Sequence, residues 1–277
     1  MRYYGIQRRM EEKEITLGML AEGTGIPLPE LVRVRDGKDA EITLEEKVCL
    51  EKLLGLDAVA GDRLADRPAG LNFDDLPKEE VSCVRESANY LARKRSYTLE
   101  DYYALPDDVR AELIDGQFFV MDAPPLEHQL VSSELSFVIG KYIRDKKGEC
   151  IVLTAPLDVQ IDCDDLTMIQ PDLLIICDYR KAVKRGIMGA PEFVLEILSE
   201  STRKKDMGIK LRKYQNAGVK EYWMVDIRHH QVIVYDFEKG EMPMIYGFED
   251  QVPVGIYGGD LKVDFGGIKR QLERVLA

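Results

Sequence analysis

The stretch from Gln170 to Ser199 constrains this chain most. It reads Gln-Pro-Asp-Leu-Leu-Ile-Ile-Cys, then a charged loop, then Pro-Glu-Phe-Val-Leu-Glu-Ile-Leu-Ser. Each half is a short apolar run led by a proline and rich in branched side chains, the pattern of a strand buried on both faces. Each run also carries one acid that such a strand should not tolerate: Asp172 at the start of the first, Glu196 in the middle of the second. An ionised carboxylate in an apolar strand is costly unless something pairs with it. Three answers are open. Each acid can meet a buried Arg or Lys, it can stand at a strand end in water, or the two can share a divalent cation. A hard ion such as Mg²⁺ (or Mn²⁺) takes few protein oxygens and keeps several waters, which suits phosphate-ester chemistry.

The flanking sequence supplies a sheet and its covering helices. Tyr97 to Pro106 reads as a short helix, and Ala111 to Met121 as two strands around an Asp115-Gly116 turn, a strong hairpin signal. Leu126 to Arg144 is an amphipathic helix with Leu130, Leu135, Val138, Ile139 and Tyr142 on its inner face. Strands are expected at Glu149 to Thr154 and Leu157 to Ile161, and a single helix from Arg203 to Asn216. Paired strands follow at Glu221 to Asp226 and Gln231 to Tyr235, with Trp223 read as a core residue beside Tyr222. Further β structure is read at Ile245 to Phe248 and Asp260 to Phe265, and a closing helix from Gly267 to Leu276. The fold class is therefore mixed α/β, a mixed sheet flanked by helices over residues 96 to 277. His229 and His230 fall at a hairpin turn without a matching carboxylate and read as surface.

Residues 1 to 56 read as a small all-helical domain. Ile15 to Ile26 gives one short helix and a Gly-Thr-Gly turn, Leu28 to Arg35 a second helix stopped by Gly37. Thr43-Leu44-Glu45-Glu46 opens a third with a capping box. Asp57 to Asp75 reads as a linker and Leu76 to Arg95 as a connecting helix. No apolar run approaches the ~18 residues of a membrane span, and residues 1 to 5 do not open a signal peptide. Five scattered cysteines without a CxxC pair argue against a disulfide framework and a zinc site, and for a cytoplasmic protein. A net charge of −12 does not favour nucleic acid at long range, although a local basic stripe can still do the contacting.

Two resemblances add to these readings. The helical segment resembles the helix-turn-helix domain of lambda-repressor-like regulators, through Leu20-Ala21, Gly25-Ile26, Asp36-Gly37 and Leu53-Leu54-Gly55-Leu56. The resemblance implies that the helix from Leu28 to Arg35 enters the major groove of double-stranded DNA, with Arg33 and Arg35 as its cations. Pro27 and Pro29 crowd its start, and residues 1 to 56 hold nine Lys or Arg against eleven Asp or Glu. A bundle used for dimerisation or docking is the other reading.

Residues 97 to 240 resemble the Uma-type restriction endonucleases of the PD-(D/E)XK fold. The matching runs are Glu112-Leu113-Ile114-Asp115-Gly116, Pro124-Pro125 with His128, Gln170-Pro171-Asp172 and Val194-Leu195-Glu196-Ile197-Leu198-Ser199. Asp206, Lys210, Tyr214 and the run Ala217 to Trp223 follow in order. The resemblance implies that Asp172 and Glu196 bind the metal, with Glu112 completing or supporting the shell; the Ile197 carbonyl is a candidate further ligand. It places a lysine at position 198, where this chain has Leu198. Lys210 on the following helix is the candidate replacement, to orient the attacking water. Lys204, Lys205 and His128 are candidate contacts to nucleic acid. The implied activity is metal-dependent hydrolysis of DNA phosphodiester bonds, and a homodimer is the default for a helix-turn-helix protein that meets duplex DNA. The rival reading is a non-catalytic DNA-binding regulator that keeps the nuclease fold as a dimerisation or ligand module.

Overall fold

A computed structural model describes residues 6–55, 96–240 and 242–276. The linker and connecting helix expected between Asp57 and Arg95 lie outside the described residues. The chain divides into two compact units: Met1–Ala111 with Gly116–Asp122, and Glu112–Asp115 with Ala123–Ala277.

The first unit contains α1 (Ile6–Glu12), α2 (Leu17–Thr24), α3 (Leu28–Arg35), α4 (Leu44–Leu54) and α5 (Leu99–Tyr103). The α1 helix was not anticipated. Its Ile6 and Met10 close a core with Leu20, Leu31, Val34, Leu50 and Leu54. The Thr43 capping box is present in both directions: Glu46 N–H donates to Thr43 Oγ1 at 3.2 Å and Thr43 N–H donates to Glu46 Oε2 at 2.6 Å. Helix α3 is buried on two sides. Leu31 and Val34 face the helical core, while Leu28 and Val32 pack with Ala111, Leu105, Val109, Phe118 and Val120.

The hairpin of β1 (Ala111–Ile114) and β2 (Gln117–Val120) forms as read. Asp115 and Gly116 both sit at positive φ, 50° and 74°. That is the requirement of a type I′ turn and the reason an Asp-Gly pair is found there.

The second unit is built on a six-stranded sheet. After α6 (Leu126–Asp145) come β3 (Ile151–Thr154), β4 (Val159–Gln160), β5 (Leu173–Ile176), β6 (Ala182–Val183), β7 (Gly186–Met188) and β8 (Phe193–Ile197). A helical segment follows in three parts: α7 (Arg203–Lys205), a π-helical turn (Asp206–Lys210) and α8 (Leu211–Ala217). Then come β9 (Glu221–Asp226), β10 (Gln231–Asp236), β11 (Met244–Gly247), β12 (Gln251–Pro253), β13 (Lys262–Asp264) and α9 (Phe265–Leu276). The sheet order is β11-β10-β9-β8-β5-β3, and only β8 and β9 are parallel neighbours within it. A parallel pair needs a crossover connection, which the segment 203–217 provides. The strand expected at Leu157 to Ile161 is shorter. Its β4 lies in a separate sheet of order β4-β7-β6.

The period of two along each strand decides what lies on which face. Leu173, Ile175, Phe193, Leu195, Ile197, Trp223 and Val225 share one core with Val131, Leu135 and Ile139 of α6 and Phe265, Ile268 and Leu272 of α9. Trp223 is therefore a core residue, but not beside Tyr222, which points to the other face. Trp223 stands edge-on to Phe193 at 5.4 Å, and Tyr222 packs on Tyr214 at 4.8 Å. Glu196 and Val194 share the Tyr222 face by the same alternation. One expectation fails outright: Cys150 and Cys177 form a disulfide. The antiparallel register of β3 and β5 pairs Ile151 with Ile176 and so sets the two cysteines opposite each other. Linear spacing alone gives no hint of that register.

Candidate functional site

The acids of the two buried strands gather with others on the Tyr222 face of the sheet. Strands β5 and β8 run antiparallel with Leu173 opposite Leu195. This register brings the carboxylate at the start of β5 to the end of β8, where Asp172 Oδ2 accepts the Ile197 N–H at 2.7 Å. The same oxygen meets His128 Nε2 of α6 at 3.1 Å. A carboxylate acceptor calls for a hydrogen on Nε2. Nδ1 is buried without a protein partner. With two donors on Oδ2, Asp172 is held with Oδ1 available to other partners. His128 thus stands against Asp172, in a positioning role that sequence did not assign.

Glu196 is 3 % exposed and is bonded by two donors on one oxygen. Lys210 Nζ and Tyr214 OH reach Glu196 Oε1 at 2.7 and 2.5 Å. Lys210 Nζ is also 2.7 Å from Glu112 Oε1 and 3.7 Å from Asp206 Oδ1. Glu112 is fully buried and takes Lys205 Nζ on its other oxygen at 2.6 Å, while its Oε1 also accepts the Gln170 N–H at 2.9 Å. Glu112, Asp172, Glu196 and Lys210 are thus brought together. Lys205, expected at the nucleic acid, is instead a partner of Glu112, while Lys204 is exposed.

The π-helical turn explains why Lys205 joins Lys210. At 3.6 residues per turn, side chains five apart diverge by about 140° around a helix. A turn of the i→i+5 kind stacks them on one side. Asp206, Lys210 and Tyr214 recur every four residues, so a single inward face was legible in the sequence. The contribution of Lys205 was not.

The electrostatics follow from burial and from unequal sharing of the two ammonium groups. Burial alone pushes the Glu112 carboxyl up, but Lys210 and Lys205 overcome it and hold it at about 2. Burial pushes Glu196 up to about 8 against the pull of Lys210, and the charges of Asp206, Asp172 and Glu112 add to the rise. Asp206 is raised for the same first reason. Burial disfavours the Lys210 ammonium, yet Glu112, Glu196 and Asp206 hold its pKa well above the ordinary lysine value.

These directions fix a pH dependence. Glu196 binds its proton more tightly folded than unfolded, so its contribution to stability is greatest below its unfolded value, near 4.5, and is lost as pH rises towards about 8. Glu112 acts oppositely: its contribution is present above about 4.5 and is lost as pH falls towards 2. Between pH 5 and 8 the Glu112 contribution is flat, and Glu196 acts in the same direction as the raised Asp206. Glu196→Gln should flatten the decline of metal-free stability over that window, measured by urea unfolding at a series of pH values. An unchanged slope would remove Glu196 as its source.

The other residues expected to meet DNA are placed differently. Arg35 pairs with Asp36 at 2.9 Å and Asp108 at 2.7 Å, and Arg33 is the one exposed side chain of α3. His229 is exposed but does have a carboxylate partner, contrary to expectation: its Nδ1 lies 2.9 Å from Asp226 Oδ2. Asp226 also binds Arg203.

Among the described residues no group of three acids, histidines or cysteines is placed to hold a metal ion. The donor set nevertheless fits a hard cation. Mg²⁺ needs only one or two carboxylates and completes its shell with water. Glu112, Asp172, Glu196 and Asp206 also outnumber Lys205 and Lys210 by two charges when all are ionised. No helix among the described residues is long and apolar enough to cross a membrane.

Comparison with known proteins agrees with this architecture. "Uncharacterized protein slr1290" of Synechocystis sp. (strain ATCC 27184 / PCC 6803 / Kazusa) is 29 % identical over 126 residues, 45 % of this chain and 64 % of that protein's length. The match therefore spans less than two thirds of that relative. A crystal structure of "a putative nuclease belonging to DUF820" from Anabaena variabilis ATCC 29413 superposes with a TM-score of 0.52 at 18 % identity. It covers 62 % of this chain and 96 % of that one, and so shares the fold. Residues 99–253 match the Uma2 family, described as "Putative restriction endonuclease". The chain belongs to this restriction-endonuclease-like family.

Proposed function

We propose that the second unit is a divalent-cation-dependent endonuclease that hydrolyses phosphodiester bonds of double-stranded DNA. One observation carries this reading: buried acids from β1, β8 and the π turn converge on Lys210, beside Asp172 at the start of β5, in excess of the cations that neutralise them. Such an arrangement is costly for stability alone, since a buried ion pair competes poorly with apolar packing. It is useful where a phosphate and a cation must be received.

Asp172 and Glu196 would hold Mg²⁺ or Mn²⁺, with the Ile197 carbonyl as a further oxygen. The ion, when bound, lowers the pKa of a coordinated water and neutralises charge on the phosphate. The chain's own residues do the rest. His128 and the Ile197 N–H fix the rotamer of Asp172. Tyr214 fixes Glu196. Lys210 presents its ammonium beside Glu196, where it orients the water and stabilises charge growing on the phosphate oxygens. Glu112 holds Lys210 and Lys205 in place. Lys210 takes the part of the lysine absent at Leu198, arriving from the helix rather than the strand.

Calorimetric titration with Mn²⁺ and Mg²⁺ tests the assignment. The wild type should bind with a stoichiometry near one, and Asp172→Ala should bind at least about tenfold more weakly. Equal binding by the two proteins, with and without duplex DNA, would place the ion elsewhere.

A further inference from the structure

We propose that Arg203, held by the buried carboxylate of Asp226, grips the phosphate backbone of the nucleic acid beside the site, with Lys204 next to it. The proposal rests on the nuclease reading and adds the residues that receive the strand. Asp226 ends β9, and its side chain is 2 % exposed. Its two oxygens do different work. Oδ1 accepts the His229 N–H at 3.1 Å and so closes the turn between β9 and β10. Asp is common in turns for that reason. Oδ2 collects two further side chains, from separate segments: Arg203 through Nη1, and His229 through Nδ1 at 2.9 Å. The turn does not need this second set. Arg203 uses one nitrogen in the contact. Its Nε and Nη2 have no partner among the described residues, and its side chain is 38 % exposed.

Sheet register sets this pair beside the acids. Strands β8 and β9 run parallel, with Glu196 opposite Met224 and Ile197 opposite Val225. Leu198 N–H donates to the Val225 carbonyl at 2.9 Å, so both strands reach the edge of the sheet where Ile197 N–H donates to Asp172. Side chains alternate along a strand, and Asp226 therefore shares the face of Tyr222, Met224 and Glu196. From Glu196 to Asp226 is one strand across and two residues along, roughly 8 Å between Cα positions at ~4.8 Å per strand and ~3.3 Å per residue. A nucleic-acid strand carries one phosphate per ~3.4 Å of duplex axis, so a strand seated at the acids brings a flanking phosphate to Arg203. The local charge agrees. In a chain of net charge −12, the two loops at this edge, 199–204 and 226–230, hold Arg203, Lys204 and Arg228 against Glu200 and Asp226. Lys204 is exposed and has no carboxylate partner among the described residues, and Arg228 lies 3.6 Å from Glu200 with both side chains in solvent. A long surface side chain loses rotamer freedom when it binds. Asp226 fixes Arg203 beforehand and leaves the rest of its planar fork for a phosphate.

Duplex binding by fluorescence anisotropy over a range of salt tests the grip, in an Asp172→Asn background that suppresses cleavage. Arg203→Gln should weaken binding about tenfold at about 0.1 M salt and lower the slope of log K against log salt by about 0.9, the value for one phosphate contact. Lys204→Gln should lower the slope similarly. Lys239→Gln is the matched control, because Asp236 holds Lys239 at the opposite edge of the sheet, and it should change neither quantity. Arg203→Lys keeps the charge and a partner for Asp226, so the fold is preserved. It should retain the slope and still weaken binding several-fold, because an ammonium does not reproduce the fork. Asp226→Asn separates positioning from charge. Removing an anion beside DNA would by itself strengthen binding, whereas loss of the hold on Arg203 should weaken it, and that loss should vanish when Arg203→Gln is already present. Calorimetry with Mn²⁺ on the otherwise wild-type variants should show the cation site intact. Unchanged affinity in Arg203→Gln, an equal loss in Lys239→Gln or tighter binding by Asp226→Asn would overturn the grip while leaving the nuclease reading in place. If Arg203→Gln does not fold, unchanged affinity in Arg203→Lys is the overturning result. Failure of the parent protein to bind any duplex would overturn both.

Discussion

Lys210→Met should destabilise the metal-free protein by about 3–5 kcal/mol at neutral pH, the scale for breaking a buried charge pair by removing one partner. The reason lies in what the lysine neutralises. Its Nζ stands 2.7 Å from Glu112 and from Glu196, and 3.7 Å from Asp206, all of them buried. Methionine fills a similar volume but leaves Glu112, the acid held ionised, with Lys205 alone, and takes from Glu196, pushed up to about 8, its hydrogen-bond donor. The deficit should shrink as pH falls, because protonation discharges the acids that lost their partner. It should also shrink when a divalent cation is added, by the free energy of binding to the folded state. Urea unfolding of both proteins, with and without Mg²⁺, measures all three effects. A variant as stable as the wild type at pH 7 would show that these carboxylates are already protonated and that the ammonium is not what holds them.

Asp172→Asn should reduce Mg²⁺-dependent cleavage of duplex DNA by about a thousandfold or more, the consequence of losing several kcal/mol of charge stabilisation in the transition state. The substitution is nearly isosteric and keeps an acceptor oxygen for the Ile197 N–H and His128, so the fold should survive. Supercoiled-plasmid cleavage under single-turnover conditions gives the rate, and the thermal midpoint reports the fold. Cleavage within a factor of a few of wild type would sink the assignment of Asp172 and with it the proposed centre. Cleavage that is lost together with the fold would not count as support. Asn at 172 is preferred to Ala for that reason.

Much of this architecture is legible without coordinates. The two proline-led apolar runs become β5 and β8, adjacent and antiparallel, and their acids meet at one edge because the register sets Leu173 opposite Leu195. The Asp115-Gly116 turn, the amphipathic α6 and the capping box at Thr43 are local patterns with local causes, and each forms where the pattern falls. The departures share a different origin. Helix α1 was missed because its stretch, Ile-Gln-Arg-Arg-Met-Glu-Glu, carries only two buried residues. The helix expected from Arg203 to Asn216 is interrupted by a π turn, Asp206–Lys210, beside which Lys205 and Lys210 meet the same carboxylate, and no local pattern announces it. Helix α3 has the length and position of a groove-reading helix, but tertiary packing covers both its apolar sides and ties Arg35 to Asp108.

What the sequence determined by itself is the set of chemical groups and their strand or helix addresses: Asp172 and Glu196 on buried strands, Glu112 before a tight turn, Lys210 on the next helix in place of a lysine at Leu198. Periodicity and turn chemistry act within a few residues, so they are written in the chain. What only the tertiary structure decided is which of these groups share a charge. Lys205 belongs to Glu112 and not to the surface, His128 holds Asp172, and Cys150 meets Cys177. These outcomes depend on register and on contacts between residues 27 to 93 apart, and in a strand a shift of one residue would turn each side chain to the opposite face.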